Sequence, residues 1–269
     1  MTEHEQEAIL AYSSQKAQWF GPTGIFPEHR ERAATIERLC GTGPKTILEL
    51  GAGAGGTAAA MADRGHSVTA VELSPVRVAY ARQLAQGRSN IEIHEGDFYR
   101  IQLSNKHDVV VYWDGFGVGT DSDQRRLLRR VAQEWLRDDG CMLMDVFWPW
   151  AWANRAGREV RLRDIWRLVD GRVATVNLEV SLKQRFDFDP VTCRFSDSIW
   201  PVRRKAQAIT QSVRCYSPLD LLLLLEGTGL IANRFEIAGE PFEVDGKLDG
   251  VGPKMTAESY LVRLVLASG

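Results

Sequence analysis

Short apolar runs separated by longer mixed segments set the rhythm of the chain from Thr46 to Trp148, and that rhythm predicts alternating strands and helices. Thr46–Leu50, His66–Val71, Asn90–Phe98, Asp108–Trp113 and Cys141–Phe147 read as strands, the third ending in Gly96-Asp97-Phe98. Ala58–Ala62, a segment opened by Ser74-Pro75, and a long stretch from about Ser122 to Asp138 read as helices, Ser74 serving as cap and Pro75 as the first helical residue. Alternation of this kind predicts an α/β chain with a doubly wound parallel sheet, helices on both faces, and a ligand at the carboxyl ends of the strands. Two helices precede it: Ala8, Ile9, Tyr12, Trp19 and Phe20 share one side of the first, Ala33, Ile36 and Leu39 one side of the second, and Gly21-Pro22 parts them.

Beyond residue 150 the period changes from helical to two. Leu178, Val180, Leu182, Phe186 and Phe188 alternate with Glu179, Ser181, Lys183, Arg185 and Asp187, broken only at Gln184, which marks a half-buried strand. Asp189-Pro190 makes a turn, and Thr192–Trp200 and Gln207–Tyr216 look extended, so an antiparallel insert of about three strands is expected. Ser217-Pro218-Leu219-Asp220 then opens a helix through Leu221–Leu225 that stops at Gly227 or Gly229. Ile231–Ala238 and Tyr260–Ala267 supply the last two strands. The expected divisions are 1–42 (helical), 43–150 (main core), 151–216 (helical and antiparallel insert) and 217–269 (the rest of the core).

The chemistry concentrates where the first strand meets a glycine-rich turn, Glu49-Leu50-Gly51-Ala52-Gly53-Ala54-Gly55-Gly56. Gly51, Gly53 and Gly56 satisfy the spacing of a dinucleotide fingerprint, with Glu72 near the place of its ribose-binding acid. Glu49 argues the other way, because a negative charge two residues before the first glycine repels a pyrophosphate and suits a ligand carrying an ammonium and a sulfonium. The segment resembles motif I of the class I S-adenosylmethionine-dependent methyltransferases, whose pattern is matched by Glu49, Gly51, Gly53 and Gly55. The resemblance implies a Rossmann-like core with a reversed carboxyl-terminal hairpin, S-adenosylmethionine as cofactor and S-adenosylhomocysteine as product. It further implies that Glu72 takes the ribose hydroxyls, with Leu73 beside it, that Asp97 accepts from the adenine amino group, and that Phe98 packs on the ring. Trp113, at the end of the fourth strand, is placed near the cofactor. Helices ahead of motif I lid cofactor and substrate in related enzymes, which makes Tyr12 and Trp19 candidate lid residues, although aromatic packing explains them equally simply.

Composition and charge narrow the picture. The chain has 269 residues, ordinary apolar and charged fractions and a formal net charge of −2, so it buries a substantial core and lacks the basic character of a general nucleic-acid binder. Cys40, Cys141, Cys193 and Cys215 are scattered without ligand spacing; they read as reduced thiols, and neither a metal site nor a disulfide framework is expected. No apolar export segment or membrane-length run is present, from which a cytoplasmic location and no membrane partner are expected.

The loop Asp114-Gly115-Phe116-Gly117-Val118-Gly119 ends the fourth strand, which in the resembling fold faces the transferable methyl group. Asp114 is a candidate to orient the acceptor or take its proton, and His94 is a second candidate that reads as well as a structural histidine. Phe116, Trp148, Trp150 and Trp152 are candidate acceptor contacts, the tryptophans as an aromatic wall or as a packed corner. Arg158, Arg161, Arg163, Arg167, Arg203, Arg204 and Lys205, interleaved with Glu159, Asp164 and Asp170, read as an anion-holding set or as a solvated face. The Asn-Pro-Pro-Tyr motif of amino-group methyltransferases acting on nucleobases and glutamine is absent, which favours a small metabolite, plausibly of specialised metabolism. The expected activity is direct displacement onto an oxygen, nitrogen or carbon nucleophile. Alternatives are a non-methyl-transfer reaction on the same cofactor, or a macromolecular acceptor, with the insert as substrate cap, docking surface or homodimer contact. A nicotinamide dehydrogenase fits poorly, since the only Tyr-x-x-x-Lys spacing, Tyr12 to Lys16, precedes the glycine turn.

Overall fold

A computed structural model describes residues 3–169, 172–244 and 257–267; Asp170, and the side chains of Arg163, Asp164, Arg167 and Glu179, lie outside the described residues. Helices α1 (Glu3–Phe20) and α2 (Pro27–Cys40) precede β1 (Thr46–Leu50), α3 (Gly56–Ala62), β2 (Ser67–Glu72), α4 (Pro75–Leu84), β3 (Ile91–Glu95), β4 (His107–Tyr112), α5 (Asp121–Arg130) and β5 (Leu136–Phe147). A short α6 (Pro149–Ala153) leads into β6 (Glu159–Val169), β7 (Arg172–Asp189), β8 (Arg194–Pro201) and β9 (Ile209–Arg214). The chain continues with α7 (Pro218–Leu225), β10 (Leu230–Ile237), β11 (Glu240–Phe242) and β12 (Ser259–Leu266).

The main sheet has the order β11-β10-β12-β5-β4-β1-β2-β3. Strands β1 to β5 are parallel to one another, and β12 enters antiparallel between β5 and β10, which is the expected reversed hairpin. Central strands covered on both faces cannot alternate apolar with polar residues, and Ile47, Leu48, Leu50 and Val109 to Val111 are accordingly all buried. One apolar cluster joins β1, β4 and β5 to α5 and α7; a second joins the other face to α2 and α3. Capping chemistry sets the helix starts: Ser74 accepts from the Arg77 amide, and Thr120 with Asp123 and Ser217 with Asp220 form reciprocal boxes.

Four expectations need correction. The helix expected to run to Asp138 ends at Arg130, widens into one π-turn over Val131–Trp135, and gives way to a strand from Leu136, because Trp135 and Leu136 are wholly buried and Leu136 pairs with His107 on β4. The insert has four strands, in the order β6-β7-β8-β9, because the arginine-rich segment from Glu159 pairs along β7. Strand β11 was not expected. Cys40 and Cys141 form a disulfide, with Cα atoms 6.8 Å apart, because the end of α2 packs over β5; their separation of 101 residues carried no spacing signal. Cys193 and Cys215 are free thiols.

The insert is tied to the core at the loop after β4. The Arg214 amide donates to the Gly117 carbonyl at 2.9 Å, and Val118 bridges to Val213. Gly117 has φ +105°, and a Cβ there would stand 2.1 Å from the Arg214 carbonyl oxygen. Gly117→Ala is therefore expected to lower the unfolding free energy by roughly 2–4 kcal/mol, seen as a lower urea midpoint at unchanged slope. A midpoint equal to that of the unaltered protein would refute this docking.

Candidate functional site

A cavity of about 350 Å³ lies over the carboxyl ends of β1, β2 and β4, where the parallel-sheet argument puts a ligand, and it is closed over by α1 and α2. Its floor is the glycine turn. Gly51, Gly53 and Gly55 have φ of +66°, +59° and +82°, values that L side chains rarely adopt. Gly51 and Gly53 line the cavity, and a Cβ on Gly53 would meet no atom within 4 Å, so that position is an open cradle. Gly55 serves packing instead: it caps α3, and a Cβ would lie 2.9 Å from Ala81 of α4. Gly56 lies under the His29 ring, 2.2 Å from where its Cβ would be, which binds α2 closely to the turn.

Glu49 lines the cavity although it is only 3% exposed, and its Oε2 has no hydrogen-bond partner among the described residues. Burial pushes its pKa up to about 8; the nearby Arg32 guanidinium and the Ala58 amide pull against that shift. Arg32, on α2, spans the cavity mouth. It donates to Asp114 Oδ2 at 2.6 Å, lies 3.9 Å from Asp145 Oδ2, and sits 5.3 Å from the centre of the Trp113 ring. The Asp114 amide donates to Asp145 Oδ1 at 2.7 Å, and Asp114 holds φ +56°. Burial, with Asp114 beside it, raises the Asp145 pKa to about 8. His29 Nδ1 accepts from the Phe26 amide at 3.0 Å, so a neutral ring carries its proton on Nε2; burial lowers the His29 pKa and favours that neutral form.

Along the same wall, Glu72 is buried and accepts from the Gly53 and Ser74 amides, each at 2.8 Å, which aims it across the floor. Leu73, Asp97, Phe98 and Trp113 also line the cavity. Asp97 Oδ1 accepts from the Tyr99 amide at 2.8 Å, and Oδ2 accepts from the Gln6 amide group of α1 at 2.7 Å. The Trp113 indole nitrogen is buried and unpartnered among the described residues.

At the other end Tyr12 lines the cavity beside Lys16 and Gln211. The Tyr12 hydroxyl donates to Asp197 Oδ2 at 2.6 Å, Lys16 donates to both groups, and Gln184 donates to Asp197 Oδ1. Asp197 and Gln211 are cross-strand partners, so both side chains leave the insert on the face that meets α1. Burial and the Asp197 charge hold the Tyr12 phenol well above its ordinary range, so it stays protonated.

The remaining acceptor and catalytic candidates lie elsewhere. His94 stands on β3 with its Nε2 3.0 Å from Glu92, outside the cavity lining. Trp19 packs against the apolar patch of Leu178, Leu182 and Ile199. Phe116 is wholly buried between Tyr112 and Tyr216. Trp148 packs on Tyr260, Trp152 stacks on Phe195 with ring centres 3.9 Å apart, and Trp150 is 44% exposed, so the three tryptophans form a packed corner outside the cavity. Arg158, Arg161, Arg203, Arg204 and Lys205 are exposed and face solvent rather than the cavity. The sequence reading passed over Arg32, His29, Lys16, Arg77, Asp145, Asp197 and Gln211. Only Asp145, at the end of an apolar strand, carried a local signal comparable to that of Glu49.

Residues 47–140 match the family model described as a methyltransferase domain. No curated protein sequence matches the chain. Among solved structures, the CcbJ methyltransferase from Streptomyces caelestis has a TM-score of 0.71 and 19% identity, covering 96% of this chain and 98% of that one. The sugar N-methyltransferase KedS8 from Streptoalloteichus sp has a TM-score of 0.62 and 16% identity, over 90% of this chain and 88% of that one. The glycopeptide N-methyltransferase MtfA, complexed with S-adenosyl-L-methionine, has a TM-score of 0.54 and 21% identity, over 91% and 95%. At these identities the likeness is one of fold. It extends over nearly the whole chain and bears out the expected fold class.

Glu49 gives the free protein a pH signature. Its folded pKa of about 8 exceeds the ordinary value of 4.5, so between those values the folded state keeps a proton that the unfolded state has lost. Stability contributed by the protonated form is lost as pH rises through that window. Asp145 acts in the same direction, and a comparison with Glu49→Gln isolates the Glu49 part. In urea unfolding, the variant should gain on the unaltered protein steadily from about pH 5 to pH 8. A difference that does not change with pH would contradict the assignment.

Proposed function

We propose that this chain, whose residues 47–140 match the family model of a methyltransferase domain and whose fold is similar to that of solved methyltransferases, transfers a methyl group from S-adenosylmethionine to an oxygen, nitrogen or carbon nucleophile of a small organic molecule. One observation carries the reading: a buried carboxylate with an unpartnered oxygen, Glu49 Oε2, stands at the floor of a glycine-lined cavity. A buried anion without a cation is costly, and a ligand ammonium relieves that cost. Arg32, next to it, suits the carboxylate of the same amino-acid end. Glu72, already aimed by two backbone amides, offers its remaining lone pairs to vicinal hydroxyls. Asp97 takes an exocyclic amine in the role that Gln6 fills in the free protein, and Leu73 and Phe98 give an apolar bed for a flat ring.

When bound, S-adenosylmethionine supplies a methyl group already activated on a sulfonium and leaves as S-adenosylhomocysteine. The chain's own share is alignment and exclusion of water. Helices α1 and α2 roof the cavity, Trp113 and Gly115 wall it at the end of β4, and the protonated Tyr12 phenol presents a fixed oxygen toward the acceptor end. Asp114, 62% exposed at the cavity edge, is assigned the support of Arg32, to which it is bound. The names of KedS8 and MtfA support an amine nitrogen on a sugar or glycopeptide as the kind of acceptor this fold accommodates.

Calorimetric titration with S-adenosylhomocysteine should give micromolar binding that Glu72→Ala and Asp97→Ala each weaken by about 1–3 kcal/mol, with NAD binding far less. The bound complex should also shed about one proton near pH 7, as Glu49 ionises against the ligand ammonium, and Glu49→Gln should abolish that release. Absence of binding, or preference for NAD, would overturn the reading.

A further inference from the structure

Three lysine and arginine side chains line the cavity: Arg32, Lys16 and Arg77. Arg32 is paired with Asp114 and Lys16 with Asp197. Arg77, in the first turn of α4, has no ion pair or side-chain hydrogen bond among the described residues, while its backbone amide, donating to the Ser74 cap at 3.4 Å, fixes where the side chain starts. The carboxylates nearby are committed: Glu72 to two backbone amides, Asp97 to Gln6 and Tyr99, Asp197 to Tyr12, Lys16 and Gln184. The cavity thus holds two groups without a side-chain partner among the described residues, the buried Glu49 Oε2 and the Arg77 guanidinium.

They belong to different ends. Glu49 feels Arg32, Glu72 and Asp114, whereas Arg77 acts on the Tyr12 phenol next to Asp197. The amino-acid end of the proposed cofactor meets both of its charges in Glu49 and Arg32, and its adenosine carries no anion for Arg77. The exposed arginines of the insert lie outside the cavity and cannot serve in place of Arg77.

We propose that the methyl acceptor carries an anionic group, a carboxylate or a phosphate, and that Arg77 is the residue that binds it between α4 and the Tyr12–Lys16 face of α1. The proposal rests on the methyltransferase reading above. A fork of fixed donors suits either oxyanion, and the polar Lys16, Tyr12 and Gln211 surround the approach. Arg77 is thus a specificity-determining residue that sets which acceptors enter; it takes no part in activating the methyl group.

The test uses full-length protein saturated with S-adenosylhomocysteine and titrated separately with inorganic phosphate and with acetate at constant ionic strength. Millimolar binding of at least one anion is expected, weakened tenfold or more by Arg77→Gln and unchanged by Arg64→Gln, a remote control that pairs with Glu37. Preference for phosphate or for acetate assigns the group. S-adenosylhomocysteine affinity should stay within twofold in Arg77→Gln. No anion binding by the unaltered protein, or equal binding by Arg77→Gln, overturns the proposal. So does loss of S-adenosylhomocysteine affinity in that variant, which would assign Arg77 to the cofactor. Failure of the unaltered protein to bind S-adenosylhomocysteine would instead sink the methyltransferase reading and take this proposal with it.

Discussion

A carboxyl group enclosed at the end of the central strand is the constraint around which the rest of this molecule is arranged. Glu49 cannot be hydrated where it sits, and burial raises its pKa to about 8. Keeping an acid there only makes sense beside space that a cation enters, so the turn that follows must leave that space open. The glycines do this through backbone geometry, and Arg32 stands near enough to moderate the charge without hydrogen-bonding to the open oxygen.

That arrangement needs a roof: α2 is seated on the core by Ala33 and Ile36 and by the Cys40–Cys141 disulfide, and polar links fix where both roofing helices meet the cavity. Arg32 fastens α2 to Asp114 and Asp145 at the ends of β4 and β5. Ser14 on α1 meets the Ser74 cap of α4, and Tyr12 and Lys16 reach Asp197 on the insert. Hydrogen bonds of this kind contribute little net stability each, yet they are directional, so they specify where the helices sit. Gln6 on Asp97 belongs to the same set and lies where a purine amine is expected to compete with it. Among the described residues no helix is long and apolar enough to cross a membrane.

Local chemistry explains which predictions succeeded. Thr46–Leu50, the caps at Ser74 and Ser217, and the strands near Ile231 and Tyr260 were legible because each is decided by neighbours within a few residues. The helix expected to reach Asp138 failed because the burial of Trp135 and Leu136 outweighs helix propensity there. The tryptophan cluster misled because composition does not tell which way a ring faces. Trp152 turns onto Phe195 and Trp148 onto Tyr260, both away from the cavity. Phe116, flanked by glycines, looked like a ligand contact and is core.

The half of the cavity proposed for the cofactor was written in one local pattern, Glu49 through Gly55 with Glu72 and Asp97 behind it, because a strand, a turn and a helix are local objects whose residues keep fixed relative positions. The acceptor half was not. Arg77, Lys16, Asp197 and Gln211 come from α4, α1, β8 and β9 to join Tyr12, which the sequence did offer, and Tyr12 and Asp197 meet across 185 residues. The sequence alone determined the fold class, the strand that bears the acid and the kind of ligand the turn admits. Only the tertiary structure decided which side chains in the cavity already have a partner and which, at Glu49 Oε2 and Arg77, have none among the described residues, because pairing depends on distances between elements that no spacing along the chain records.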